Sequence, residues 1–220
     1  MKVLTKGALA PHRDEREHHA AVEYTQAPAV LDTIRQSPET HGRLALLFTI
    51  YTAARSGETR GATWGEMDME AATWTIPGAR MKAGKLHTVP LSAPALAILE
   101  TMAKGRRTNS PGEMIFSGTR AGKPLSDMTM AKAQRLAAPG TTVHGWRSTF
   151  RDWAGETTGF ASDVLEACLA HAVGGKVQRS YQRGTMLDKR REVMDAWASY
   201  LAALPTYVVR LKPRRQSSAA

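Results

Sequence analysis

The sequence predicts a mainly α-helical α+β domain with a small antiparallel sheet. Three features carry that expectation. Apolar residues recur at helical spacing early in the chain, at Val30, Leu31 and Ile34 and again through residues 41–53. Two short runs rich in β-branched and aromatic residues, 72–76 (ATWTI) and 86–91 (LHTVPL), flank an Ala83-Gly84 turn. The C-terminal half then alternates helical patterns with Gly and polar breaks. A length of 220 residues with 42% apolar content suits one domain with appendages.

Residues 1–23 are polar and charged, and read as a flexible lead-in. The domain is expected over 24–204, and a basic tail over 205–220. That tail carries Arg210, Lys212, Arg214 and Arg215 without an acid. A first helix starts near Thr25. The second, about 41–53, is apolar nearly all round and so buried. Arg55 sits at its C-terminal edge, and Ser56 stands where an N-cap for a short helix over 57–63 is needed. Two strands follow, 72–76 and 86–91, with Pro90 ending the second or lying at an edge. Then come a helix over 93–104, a short strand over 114–116, a Gly-rich loop over 117–124 and a helix over 128–137. Four helices are expected at 144–156, 161–170, 176–183 and 186–203, with Gly174-Gly175 between the second and third. A small β-element is expected at 207–209.

The 30 Lys and Arg against 20 Asp and Glu leave a charge of +10. A balance this basic points to a polyanionic partner, most often nucleic acid. The single cysteine, Cys168, excludes an intrachain disulfide and a Cys-rich zinc site, and suits a reducing, cytoplasmic setting. The longest apolar run, 44–54, is far too short to span a bilayer. The first residues hold no apolar stretch of the kind a secretory signal needs. His18 and His19 are adjacent, but no further ligand lies at a useful spacing for a metal.

Four segments could carry chemistry. In VHGWRSTF (143–150), His144 and Arg147 are three apart and share a helix face, offering donors to a phosphate and a proton carrier near neutral pH. In AARSGE (53–58), Arg55 precedes a helix start, where its guanidinium could hold two phosphate oxygens, with Glu58 to orient it. The segment 80–91 (RMKAGKLHTVPL) places Arg80, Lys82 and Lys85 around a hairpin tip. His171 is followed ten residues later by Tyr181, flanked by Arg179 and Arg183, whose positive charge favours a phenolate. Taken singly, each segment also has a plain structural reading: a solvated helix face, an Arg–Glu pair, a polar turn, a partly buried tyrosine.

Together, the ordered set Arg55, Lys82, His144-x-x-Arg147, His171 and Tyr181 resembles the signature of the tyrosine recombinase (phage integrase) family. AARSGE resembles its first-arginine box, KxxKxxxVPLS its β-hairpin lysine box, and HGWRSTFRDWA the His-x-x-Arg box of prophage and genomic-island integrases. LAH followed by SYQRG resembles the nucleophile box. The similarity covers roughly residues 25–203. The resemblance implies the recombinase catalytic fold. It also implies that Tyr181 is the nucleophile and that Arg55 and Arg147 clamp the scissile phosphate. His144 is then a proton carrier and phosphate contact, His171 a second phosphate ligand, and Lys82 the general acid for the departing 5′ oxygen, with Lys85 as the alternative. Glu58 supports the site, and Lys85, Arg80, Arg179 and Arg183 are DNA contacts.

The implied activity is metal- and ATP-independent cleavage and rejoining of DNA through a 3′-phosphotyrosyl link, for integration or excision of a mobile element. No cofactor and no metal are expected. The sequence agrees in lacking a phosphate-cradling Gly-x-x-x-x-Gly-Lys-Ser/Thr loop and a carboxylate cluster for two metals. The implied partners are double-stranded DNA attachment sites, a homo-tetramer on DNA from monomers when free, and an accessory excision factor or DNA-bending protein. No membrane association is expected. The expected location is the cytoplasm, at the nucleoid when DNA is bound. Roughly fifty residues precede Arg55, too few for the N-terminal DNA-binding modules of such enzymes, so those are expected to be absent from this chain. Arg106, Arg107, Lys132 and Arg135 are candidate phosphate contacts. Competing readings are a DNA-relaxing topoisomerase with the same chemistry, a non-catalytic DNA-binding remnant, and a metal-dependent hydrolase built from the seven histidines.

Overall fold

The computed structural model describes residues 20–118, 123–171 and 186–203. Its elements are α1 (Ala27–Gln36), α2 (His41–Thr52), α3 (Ser56–Arg60), β1 (Met67–Asp68), β2 (Thr73–Ile76), β3 (His87–Pro90), α4 (Ala93–Lys104), α5 (Asp127–Ala137), α6 (Gly145–Thr157), α7 (Ser162–Cys168) and α8 (Leu187–Ala202). The helix expected at 176–183 and the β-element at 207–209 lie outside the described residues.

Helix α2 is the hub. Ten of its twelve residues are buried, and it packs against α1, α3, α4, α5 and α8. Thr40 caps it, its hydroxyl accepting from the Arg43 N–H at 3.1 Å. A helix apolar nearly all round is stable in water only when its apolar faces are covered, as they are here. Its Phe48 ring lies tilted at 5.4 Å from Trp74 of β2 and 5.5 Å from Phe116. Its Ile50 carbonyl accepts from Trp197 Nε1 of α8 at 2.9 Å. Trp197 in turn lies 4.9 Å from Trp153 and edge-on to Phe150 of α6 at 5.6 Å. These aromatic contacts tie α6 and α8 to the back of α2, and each adds to the gain from burying the rings.

The sheet runs β1-β2-β3, antiparallel throughout, with Thr73 opposite Pro90 and Ile76 opposite His87. Pro90 closes β3 at its C-terminal end, which costs no internal ladder bond. The two-residue β1 was not foreseen, because so short a strand has no period of its own. The strand expected over 114–116 is only an isolated bridge between Met114 and Thr63. Ser56 is the first residue inside α3 rather than its cap. The capping position falls to Arg55, whose own N–H donates to the Glu58 carboxylate at 2.8 Å.

The end of the expected lead-in is not loose. Thr142 N–H donates to Ala20 O at 2.9 Å, and the Thr149 hydroxyl donates to Val22 O at 2.6 Å. Val22 is buried. This strap explains the glycine of the His-Gly-Trp-Arg segment: a Cβ on Gly145 would stand 2.8 Å from Ala21 Cα. The start of α6, and with it Arg147, is thereby seated against residues 20–22.

Candidate active site

The cluster forms where the C-terminal ends of α2 and α7 meet the first turn of α6. Helix α2 stops at Ala53, which adopts a left-handed φ of 48° and turns its carbonyl inward. Arg147, one turn into α6 and buried, donates from Nη1 to that carbonyl at 2.5 Å. Its Nη2 donates to Leu169 O at 2.6 Å and lies 3.1 Å from His171 Nε2. One guanidinium thus joins three elements, a task that suits the planar five-donor fork of arginine. Burial, and then the neighbouring charge of Arg55, push Arg147 down to about 10, so it stays cationic at neutral pH.

Arg55 is partly exposed, and its Nη1 donates to Glu58 Oε1 at 2.7 Å. Glu58 is 95% hidden from solvent and therefore sits as an internal brace. Arg80 lies behind Glu58. Its guanidinium donates to the Glu58 carbonyl and pairs with the Glu66 carboxylate. Arg80 is thus engaged inside the fold, which gives no support to its expected role as a DNA contact. Arg106 is likewise turned inward, against Glu113 and over the Trp64 ring.

The structure brings Arg55, Glu58, Arg147 and His171 together. His144 stands exposed at the N-terminal end of α6, one turn before Arg147. Lys82 and Lys85 are exposed in the β2–β3 connection, with no contact to the cluster among the described residues. Tyr181, Arg179 and Arg183 lie outside the described residues. Among the described residues no group of three or more His, Cys, Asp or Glu could hold a metal ion, and no helix is long and apolar enough to cross a membrane. A cavity of about 760 Å³ opens elsewhere, at the N-terminal ends of α2 and α5, with His41, Arg107 and Lys123 in its wall.

Sequence reasoning missed three residues. Glu166 of α7 accepts from His171 Nδ1 and from Arg151 Nε, each at 2.7 Å. Arg151 lies one helical turn beyond Arg147, so spacing on α6 could have flagged it. His87 is the third. It is two residues before buried Val89 on β3 and therefore shares its face. Burial first, then the charge of Arg190, drive His87 down to about 4, against opposing pulls from Glu58 and the Cys168 backbone. Cys168 itself is pushed up to about 12 by burial, so its thiol is inert near neutrality.

The depressed value for His87 makes a pH prediction. An unfolded histidine takes a proton near 6.5. Folded His87 waits until about 4. Between those values the unfolded chain holds the extra proton, so stability falls as pH drops from about 6.5 and levels off below 4. The loss from this partly buried group is about 1–3 kcal/mol. Urea midpoints from pH 7 to 4.5 should fall less steeply in His87→Met than in the native chain. Parallel curves would remove His87 from the acid limb.

The sequence profile described as the phage integrase family matches residues 21–186. Prophage integrase IntA of Escherichia coli K12 is 35% identical over 195 residues, covering 87% of this chain and 46% of the relative. The integrase of enterobacteria phage P4 is 31% identical over 177 residues, covering 72% and 40%. The chain thus spans about half the length, or less, of these curated relatives. Among solved structures, the integrase from mycobacterium phage Brujita superposes with a TM-score of 0.61 at 14% identity, over 96% of this chain and 63% of that one. A lambda integrase dimer bound to a COC′ core site gives 0.51 at 21%, over 73% and 60%. The structural likeness shows a shared fold. On the extent of the profile match and the identity to IntA, this chain belongs to the phage integrase family.

Proposed function

We propose that this chain is the DNA-cleaving part of a site-specific recombinase that inserts or excises a mobile element. The observation that carries the reading is the Arg147 junction, with Arg55 beside it and His171 on its flank. Two guanidinium groups converge where a phosphodiester's non-bridging oxygens could sit, and the His171 imidazole holds one of them. Charge that grows on those oxygens in the transition state meets donors already in place.

In this reading the Tyr181 hydroxyl oxygen attacks phosphorus and loses its proton. A phosphotyrosyl bond forms, and the bond to the 5′ oxygen breaks. Lys82, from the exposed β2–β3 tip, protonates that oxygen, His144 contacts the phosphate, and His171 steadies the Arg147 guanidinium beside it. The bond energy stays in the protein–DNA link, so the reverse step with a second strand needs no ATP. Duplex DNA is the substrate, and the +10 charge supports salt-sensitive binding to it. Assembly as a tetramer on paired sites, and an accessory excision or bending protein, belong to the same proposal.

The test is covalent capture. Nicked duplexes that shed the cleaved 5′ end, including a candidate attachment sequence, are mixed with the protein in EDTA. A protein–DNA band that survives denaturation is the expected result. Salt-sensitive binding without any adduct on the cognate site would favour an occupancy-only role.

The same assay separates the two lysines. Lys82→Ala should slow adduct formation about 10²- to 10⁴-fold, the usual range for a lost proton donor. Lys85→Ala should cost a few-fold through one phosphate contact. The reverse order would move the acid to Lys85.

A further inference from the structure

Glu166 has no part in the mechanism above, yet it is joined to His171 twice. Through the backbone, His171 N–H donates to Glu166 O at 3.0 Å and Ala170 N–H donates to Ala167 O at 3.2 Å. Ala170 is left-handed at φ 51°. This is a Schellman end to α7 with alanine in the left-handed position glycine usually takes, so the turn is a strained one. Through the side chain, Glu166 Oε2 lies 2.7 Å from His171 Nδ1, and Oε1 lies 2.7 Å from Arg151 Nε. Arg151 is itself steadied by Ser162 Oγ at 3.2 Å.

The proton positions follow from what each group can do. Burial alone would raise the Glu166 carboxyl, but the hydrogen bonds from Arg151 and His171 outweigh it and hold the group below its usual range. The carboxylate is therefore ionised and only accepts. His171 must then carry its proton on Nδ1. Arg147 Nη2, 3.1 Å from Nε2, only donates. That partner requires a lone pair on Nε2, so both contacts select the same tautomer.

We propose that Glu166 is a positioning residue that fixes the Nδ1–H tautomer of His171 and aims Nε2 at the arginine clamp, with Arg151 holding Glu166 in place. The arrangement repeats the logic of a carboxylate behind a working histidine, where the partner sets tautomer and orientation without touching the reacting atoms. The consequence for phosphate chemistry rests on the recombinase reading. The tautomer itself does not.

The isosteric variant Glu166→Gln is the decisive probe. Its amide has one oxygen for two donors, Arg151 Nε–H and His171 Nδ1–H. With the oxygen on Arg151, the amide NH₂ faces Nδ1 and drives the ring proton to Nε2. Histidine ring ¹⁵N spectra of the full chain, without DNA, should show Nδ1–H for His171 in the native protein and Nε2–H in Glu166→Gln. In the capture assay the adduct-forming rate should fall about 10- to 100-fold, as for other lost orienting partners, with DNA affinity unchanged. In Glu166→Ala the Arg147 contact alone still favours Nδ1–H, so the tautomer should hold while the rate falls with the lost orienting contact. An Nε2–H ring in the native chain, or unaltered tautomer and rate in both variants, would overturn the proposal. If native protein formed no adduct on any duplex, the recombinase reading would fail while the spectra still decided the role of Glu166.

Discussion

Arg147→Met should lower the adduct-forming rate about 10³-fold while leaving the protein folded. The loss in rate follows from the removal of a preorganised donor to the phosphate oxygens, which costs about 10²- to 10³-fold when one such donor is lost. Here the same change also releases His171 Nε2 from its partner. The effect on stability is smaller because two terms oppose. Holding the guanidinium in a buried site, down from 12.5 to about 10, costs the folded state about 3 kcal/mol, and methionine removes that cost. Against it, the Ala53 and Leu169 carbonyls lose their charged donor, at about 1–3 kcal/mol each. The melting temperature should therefore move by less than about 12 °C. A rate within tenfold of native would remove Arg147 from the clamp. A collapse of the fold would mean that its junction role outweighs its charge cost, and Arg147→Lys would then be the variant to assay.

Much of this was legible in the sequence, for identifiable reasons. Helices α2, α4 and α6 announce themselves through long apolar periods, and the β2–β3 pair through β-branched runs around Ala83-Gly84. The Arg55–Glu58 pair is local in sequence, so spacing alone exposes it. The Glu166–His171 contact is not legible that way. It spans a helix end, and its geometry depends on Ala170 turning left-handed, which composition does not signal. His87 is hidden for a different reason. A lone histidine in a polar hairpin looks solvated until α7 and α8 pack over the sheet and bring Arg190 and the Cys168 carbonyl to it. Arg80 has partners that the sequence does not announce. A basic residue near a turn suggests a DNA contact, and the structure shows its guanidinium paired with Glu66 and the Glu58 carbonyl.

Tyr181→Phe should abolish covalent capture outright while leaving salt-sensitive DNA binding intact. Elimination among the chain's other nucleophiles supports this as well as resemblance does. The chain has five tyrosines and one cysteine. Cys168 is buried and pushed up to about 12, so no useful thiolate exists near neutrality. Tyr51 is raised by burial and packed beneath Arg35, Tyr24 is raised by its hydrogen bond to Glu156, and Tyr200 is raised by burial with its hydroxyl committed to the Tyr24 carbonyl at 2.6 Å. A raised phenol is harder to deprotonate and so a poorer nucleophile. Tyr181 and Tyr207 remain. Tyr181 stands ten residues after His171, between Arg179 and Arg183, whose charges favour a phenolate. Tyr207→Phe is the matched control and should form adduct at the native rate. Adduct lost in Tyr207→Phe and kept in Tyr181→Phe would reassign the nucleophile. Adduct kept in both would mean that the protein–DNA bond is made through another group, and the tyrosine mechanism would fall with it.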